Sequence, residues 1–483
     1  MRQVGAAWTR RLWIVFGSLT VATLSMVATP SDANAAWSTP QAIFSVAGVS
    51  NLQLPRVARD AAGDAVAVWE RYPEKGDWGA VEAITRRAGG PWSSAIRLGF
   101  GSTGAGSPGV VMDSGGEATV VWEQSTLTGK QGKKQSSARM VVDARSHHVN
   151  GGWGHAAVLA SGRAELSAIE EHPPDPQVAA GVGGDVSVAF NMRERNATPF
   201  NGREDILLFT RRDGRWRSPA MVAHTVNSSE MRLALDRRGE TILAWAHGGP
   251  SGEGESWVEA LTFGSNGKPE APAQALSAKS RAVYALDLAV NPRGAAVLTW
   301  SRELPEGEGY GPVEVATRPA GRRFTTRPVR LVHKSLPAVA AIDAQGTATV
   351  LFERSIAKGP TQEAERGPLE AATHPADGGW SKPGMVFPQA NPQALACGPH
   401  GERVALWEAQ LGLSGQPPER RAVIAASIAP AGGAWRPPET ISPAKTSEEA
   451  GLALADNGHA TAIWLREPTY GAHLVETADY EPA

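Results

Sequence analysis

A glycine followed six residues later by an aromatic recurs eight times along this chain, and no other feature restricts its fold so severely. The pairs are Gly63/Trp69, Gly116/Trp122, Gly184/Phe190, Gly239/Trp245, Gly294/Trp300, Gly346/Phe352, Gly401/Trp407 and Gly458/Trp464. Successive glycines lie 53, 68, 55, 55, 52, 55 and 57 residues apart. Only 6% of the residues are aromatic, so eight hits at one offset are not chance. Self-similarity at this period marks a repeat architecture.

Within each unit apolar residues alternate with polar or small ones, the period of β-strands. A short apolar strand comes first, as in 55–60, 231–236 and 286–291. Asp60, Asp113, Asp236, Asn291 and Asp343 then stand three residues before the glycine. That spacing predicts a hairpin turn in which the glycine takes a positive φ and the side chain caps nearby amides. The second strand carries the glycine-to-aromatic stretch. A third contains Glu82, Glu259, Glu314, Glu370 or Glu476, read as its wet side. A fourth is expected to begin at Trp92, Trp153, Trp216, Phe324, Trp380 or Trp435.

Four strands per unit, repeated radially, predict an all-β fold, a β-propeller of eight four-stranded blades. An orphan fourth strand, 37–43, precedes the first unit, and the last unit ends after its third strand near Thr477. The N-terminal strand therefore completes the last blade and removes the open edge. A ring of seven follows instead if one repeat, of which the second is longest, is irregular. The small first-strand residues Ala58, Ala179, Ala234, Ala289 and Ala453 suit a crowded centre, and the eight anchor aromatics read as wedges between blades.

The hairpin VARDAAGDAVAV resembles the repeats of secreted bacterial β-propellers of the NHL-like type, and the whole of 37–478 resembles NHL-like and sialidase-like propellers at the level of the fold. It departs from NHL repeats in unit length and in the terminal Trp. Its Asp-to-Gly spacing differs from the sialidase Asp box, and the Arg-Ile-Pro motif of sialidases is missing.

Residues 1–35 read as a signal peptide, leaving 36–483 as a single β-propeller domain. Arg2, Arg10 and Arg11 precede a 17-residue apolar stretch, and Ala33-Asn34-Ala35 supplies a cleavage site. A retained anchor is the competing reading, since 17 residues is the short limit for a span. The expectation is a secreted protein, extracellular or periplasmic, with no membrane attachment after cleavage. An excess of Arg over Lys fits a high-GC bacterial genome.

Charge narrows the partners. With 47 basic and 49 acidic residues there is no surplus to hold a polyanion, so no nucleic acid is expected. A single Cys excludes a disulfide framework and a Cys-based metal site. His147, His148 and His155 lack matching carboxylates, and Lys130, Lys133 and Lys134 read as a solvated insertion. Cys397 reads as a buried inert thiol. No motif calls for a cofactor, a metal or a catalytic residue.

Binding is expected on the face that carries the fourth-to-first and second-to-third connections, because these are long and vary between blades (72–80, 124–137, 192–204, 304–312, 356–368, 409–421). At the channel mouth on that face stand Arg56, Gln177, Arg232 and Asp287, seven residues before their glycines, with Gln393 in the corresponding place of the seventh unit. Two Arg, two Gln and one Asp suit a carboxylate or a sugar. A second ring after the anchor aromatics, including Glu70-Arg71, Glu123, Arg302-Glu303 and Arg466-Glu467, reads as surface ion pairs between blades. The expectation is a monomer that binds a protein, peptide or glycan ligand. The alternative is a sialidase-like carbohydrate-active enzyme built on Asp287, Arg56 and Arg232, which requires two carboxyl groups about 5–10 Å apart in one pocket.

Overall fold

A computed structural model describes residues 36–482 apart from 48–50, 73–78, 101–103, 129–136, 149–150, 166–173, 194–202, 227–229, 249–254, 281, 304–310, 356–366, 411–421, 444–446 and 470. The strands form eight antiparallel sheets, each a meander from an inner to an outer strand. Every inner strand packs against the inner strands of the blades before and after it, and the eighth against the first. The ring is closed and has eight blades.

Blade 1 illustrates the unit, with strands Asn51–Arg59, Ala65–Tyr72, Ala80–Arg86 and Ile96–Phe100. All eight anchor glycines have positive φ, between 78° and 99°. At the five Asp or Asn positions the side chain accepts two amides of its own turn at 2.7–3.0 Å. Gly294 has a second reason to be glycine: a Cβ there would lie 2.6 Å from Asp236 Oδ2 and Arg238 Nη2 of the preceding blade.

The anchor aromatics are buried, none more than 1% exposed, and each packs onto the blade before its own. Trp300 of blade 5 sits against Ile242, Ala244 and Val258 of blade 4. Trp69 of blade 1 sits against Ile463, Leu465 and Val475 of blade 8, so the wedge also spans the closure. Burial of this size is the main term holding neighbouring sheets together.

Blade 8 closes as the repeat pattern demands. Ala36–Trp37 and Gln41–Ala47 both pair with Ala472–Glu481, from Ala36 opposite Glu481 to Ala47 opposite Ala472. The third strand of this blade thus runs four residues past Thr477. Asp479 of blade 8 adds ion pairs to Arg59 (3.1 Å) and Arg86 (2.5 Å) of blade 1.

Two expectations are corrected. The outer-strand aromatics do not begin continuous fourth strands: Trp92 makes an isolated bridge to Arg86, and the strand proper starts at Ile96. The third-strand acids are not on a wet side either, since Glu82, Glu314, Glu370 and Glu476 are buried. Each sits cross-strand from an anchor aromatic and takes the Arg two residues beyond it, as Glu314 takes Arg302 at 2.6 Å and Glu476 takes Arg466 at 2.6 Å. Trp300 and Trp464 donate their indole N–H to the same carboxylates at 3.1 and 3.0 Å. Those arginines therefore pair within their own blades.

Candidate channel-mouth site

A bulge at the start of the inner strands builds the mouth of the channel. The residue nine before the anchor glycine has φ near +50° at Leu54, Ser107, Ala285 and Glu449, which turns the strand and frees an amide. A side chain of the preceding blade takes that amide or one close to it. Glu449 accepts Leu54 N at 2.6 Å, Glu70 accepts Ser107 N, and Glu230 accepts Ala285 N at 3.3 Å. Asp287 accepts Ala340 N at 2.7 Å, and Gln393 accepts Ala450 N at 3.2 Å. Five clasps run in one sense around the ring, one of them across the closure between blades 8 and 1.

The five residues read from the sequence divide accordingly. Asp287 and Gln393 are used as clasps, and Gln393 is itself the bulged residue of blade 7. Gln177 turns onto Asp175, donating to its Oδ2 at 3.0 Å. Arg232 lies loosely between Glu230 at 3.8 Å and Asp287 at 4.0 Å. Arg56 donates to the carbonyl of Pro55 at 3.1 Å and forms no ion pair among the described residues. It nonetheless feels Asp175 of blade 3, Arg232 of blade 4, Glu449 of blade 8 and Glu70. Only a side chain pointing into the channel meets charges from so many blades. Water reaches Arg56, yet protein surrounds it, and burial lowers its basicity, with the Arg232 charge adding to the effect.

Sequence reasoning missed the carboxyl groups that complete the mouth. Glu70 and Glu123 stand seven residues after their glycines and were assigned to surface ion pairs, but Glu70 is buried on its clasp. Glu123 occupies the same place one blade later, where no amide among the described residues of blade 3 reaches it. It makes no hydrogen bond or ion pair among the described residues, and its Oε2 is sealed from water. The two carboxyl groups face each other across Gly106, whose Cβ, if present, would strike Glu70 and lie 3.7 Å from Glu123 Oε1. Burial first, then the charges of Glu70 and Asp175, push Glu123 up to about 8. Burial also raises Glu70, Glu230 and Asp287 above the ordinary carboxylate range. The signal that would have found them is an acid seven after, or nine before, the anchor glycine.

A folded-state value above the unfolded one means stability present at low pH and lost as pH rises from the ordinary Glu range through about 8. Glu123→Gln is therefore expected to be near neutral at pH 5 and to stabilise the protein at pH 9. The gain at pH 9 should be about 1–3 kcal/mol, the cost of an unpaired buried acceptor. Urea unfolding at the two pH values tests this; an equal effect at both would remove the assignment.

Below the rim, blades 5, 6 and 7 wall a cavity of about 440 Å³, with Asp287 and Gln393 at its polar end and Leu288, Val339 and Leu395 along its side. Cys397 lines the same cavity, its thiol pushed up to about 12 by burial. His147 packs on Trp153 and His148 lies 3.6 Å from Glu117. Most of each long connection, and Lys130, Lys133 and Lys134, lie outside the described residues, as do residues 1–35.

No protein-family model and no curated protein matches this chain. Among solved structures it is similar to a protein of unknown function from Dyadobacter fermentans, with 11% identity over 93% of this chain and 100% of that one, TM-score 0.45. It is also similar to a Hadza microbial sialidase, with 12% identity over 89% of this chain and 67% of that one, TM-score 0.38. An ulvan lyase of a polysaccharide lyase family gives 13% identity over 92% and 94%, TM-score 0.43. These likenesses are ones of chain path, and no residue role passes from them to this chain.

Proposed function

We propose that this protein is a secreted glycan-binding propeller whose ligand, a sugar carrying an acidic group, sits at the channel mouth. Arg56 carries the reading. A guanidinium held inside a ring of protein, with no carboxylate partner among the described residues and with a second, only loosely paired arginine acting on it from across the ring, suits an anion. A ligand carboxylate between Arg56 and Arg232 gains charge-assisted hydrogen bonds and relieves the repulsion between the two cations. The surrounding carboxyl and amide groups of Asp175, Glu123 and Gln177 offer acceptors and donors to sugar hydroxyls.

Binding is favoured over the sialidase-like alternative by the state of Glu70 and Asp287. A glycosidase needs two open carboxyl groups, one to donate a proton and one to attack or to activate water. Glu70 is 3% exposed and its carboxylate is already taken by Ser107 N and by the Tyr72 hydroxyl. Asp287, the acid of the sialidase-like alternative, is likewise committed to Ala340 N.

Thermal shift and titration calorimetry of residues 36–483 with glucuronic acid and glucose test the reading. Glucuronic acid is expected to bind and raise the melting temperature, and glucose to bind much more weakly. Arg56→Ala should weaken the acidic sugar by about 10–150-fold, the equivalent of a hydrogen bond to a charged group. Equal binding of both sugars, unaffected by Arg56→Ala, would refute it.

A further inference from the structure

We propose that the same mouth also reads an amino group: Glu123, with Asp175 beside it, receives the ammonium of the ligand, so that the preferred glycan carries an amine as well as an acid. This rests on the acidic-glycan reading and adds the second half of the ligand.

The argument starts from the clasps. Glu70, Glu230, Asp287 and Glu449 each turn a carboxylate onto an amide of the following blade, which gives each a structural reason to be there. Glu123 repeats the position of Glu70 but has no such amide, no cation and no other donor among the described residues. A carboxyl group enclosed without a partner calls for an explanation, and an unmet acceptor in a cleft is most simply met by a ligand. Its neighbours specify the charge of that ligand: Glu70 and Asp175 are the charged groups acting on it, and both are acidic. A cation placed there converts mutual repulsion into attraction. The free oxygens of Glu123 are hydrogen-bond acceptors, which an ammonium donates to.

Glu70 and Asp175 act on Arg56 as well as on Glu123, so the anion and cation positions share neighbours. Glu123 is held protonated near neutral pH in the free protein, and an arriving ammonium would ionise it. Binding should then release a proton to the buffer, which neutral or purely acidic sugars would not do.

Titration calorimetry at pH 7 in PIPES and in MOPS, whose ionisation enthalpies differ and which carry neither a primary amine nor a carboxylate or phosphate, reads both affinity and proton release. The probes are glucuronic acid, glucosamine, 2-amino-2-deoxyglucuronic acid, its N-acetyl derivative, and Nα-acetyl-lysine amide. The amino acid sugar is expected to bind at least tenfold tighter than its N-acetyl derivative and to release a proton. Glu123→Gln should abolish the preference and the proton release, whereas Arg56→Ala should weaken both sugars alike. Equal affinity of amine and N-acetyl forms without proton release, while glucuronic acid still binds through Arg56, overturns this inference and leaves the acidic-glycan reading standing. Loss of glucuronic acid and glucosamine binding together ends both. A lysine amide that outcompetes the amino sugars through Glu123 overturns it in favour of a basic peptide.

Discussion

A chain shortened to residues 48–483 is expected to lose cooperative folding and to aggregate, whereas 36–483 melts in one transition. The twelve residues removed supply the outer strands of blade 8 and pair along Ala472–Glu481. They also bring Phe44 onto Trp69 of blade 1, with ring centroids 4.9 Å apart, and Trp37 onto Tyr480 at 5.6 Å. Ile43, Phe44 and Val46 pack against the cluster that joins blades 8 and 1. Three partly buried apolar side chains, at roughly half of the ~1.5–3 kcal/mol that full burial of each supplies, put the loss at about 3 kcal/mol, a large share of the whole stability of many domains. The edge left behind is long and unpaired, an invitation to pair with another copy. Light scattering and a circular-dichroism melt decide the matter. An unaggregated shortened chain with an unchanged melting temperature would mean that the ring is not sealed by this strand.

Trp300→Ala is expected to cost about 3–5 kcal/mol in urea unfolding, the range for emptying a large buried site. The indole fills the joint between blades 4 and 5 and is wholly buried. Its N–H also serves Glu314, which holds Arg302 through two bonds of 2.9 and 2.6 Å. Trp300→Phe keeps most of the packing and loses that one bond, so its cost should be about 1–2 kcal/mol. The difference between the variants separates wedge from hydrogen bond. Equal costs would show that Glu314, and not the packed ring, holds the joint. Because every blade uses the same wedge, a single failure is expected to lower the transition of the whole ring rather than to melt one blade.

Most of the fold was legible because its signals are local and repeated. A positive-φ glycine with an aromatic six residues on recurs in all eight units, with a capping Asp or Asn in five, so short-range spacing alone makes the pattern unmistakable. The burial of Glu314 and Glu476 was not legible, since an alternating strand pattern does not say that an Arg two residues past the aromatic will fold back onto them. The candidate site was legible only in part. Arg56 and Arg232 stand out as charged residues at channel positions, while Glu70 and Glu123 look like ordinary surface acids until the neighbouring blade is in place.

By itself the sequence determined the blade, the eight repeats and the strand that closes the ring, because hydrophobic period, turn chemistry and repeat count need only neighbours along the chain. That all eight repeats form blades, rather than seven, only the closed ring decided. Tertiary structure alone decided which polar groups meet. Glu449 reaches the amide of Leu54, 395 residues away, and Arg56 feels Arg232 and Asp175 from across the ring. Closing a circle brings the same position of every repeat to one rim, and two adjoining repeats can give that position opposite fates. Glu70 finds the freed amide of blade 2, and Glu123 finds none among the described residues of blade 3. That difference lies in the start of the neighbouring inner strand, Gly104 in one case and Gln177 in the other, and no motif around Glu123 encodes it.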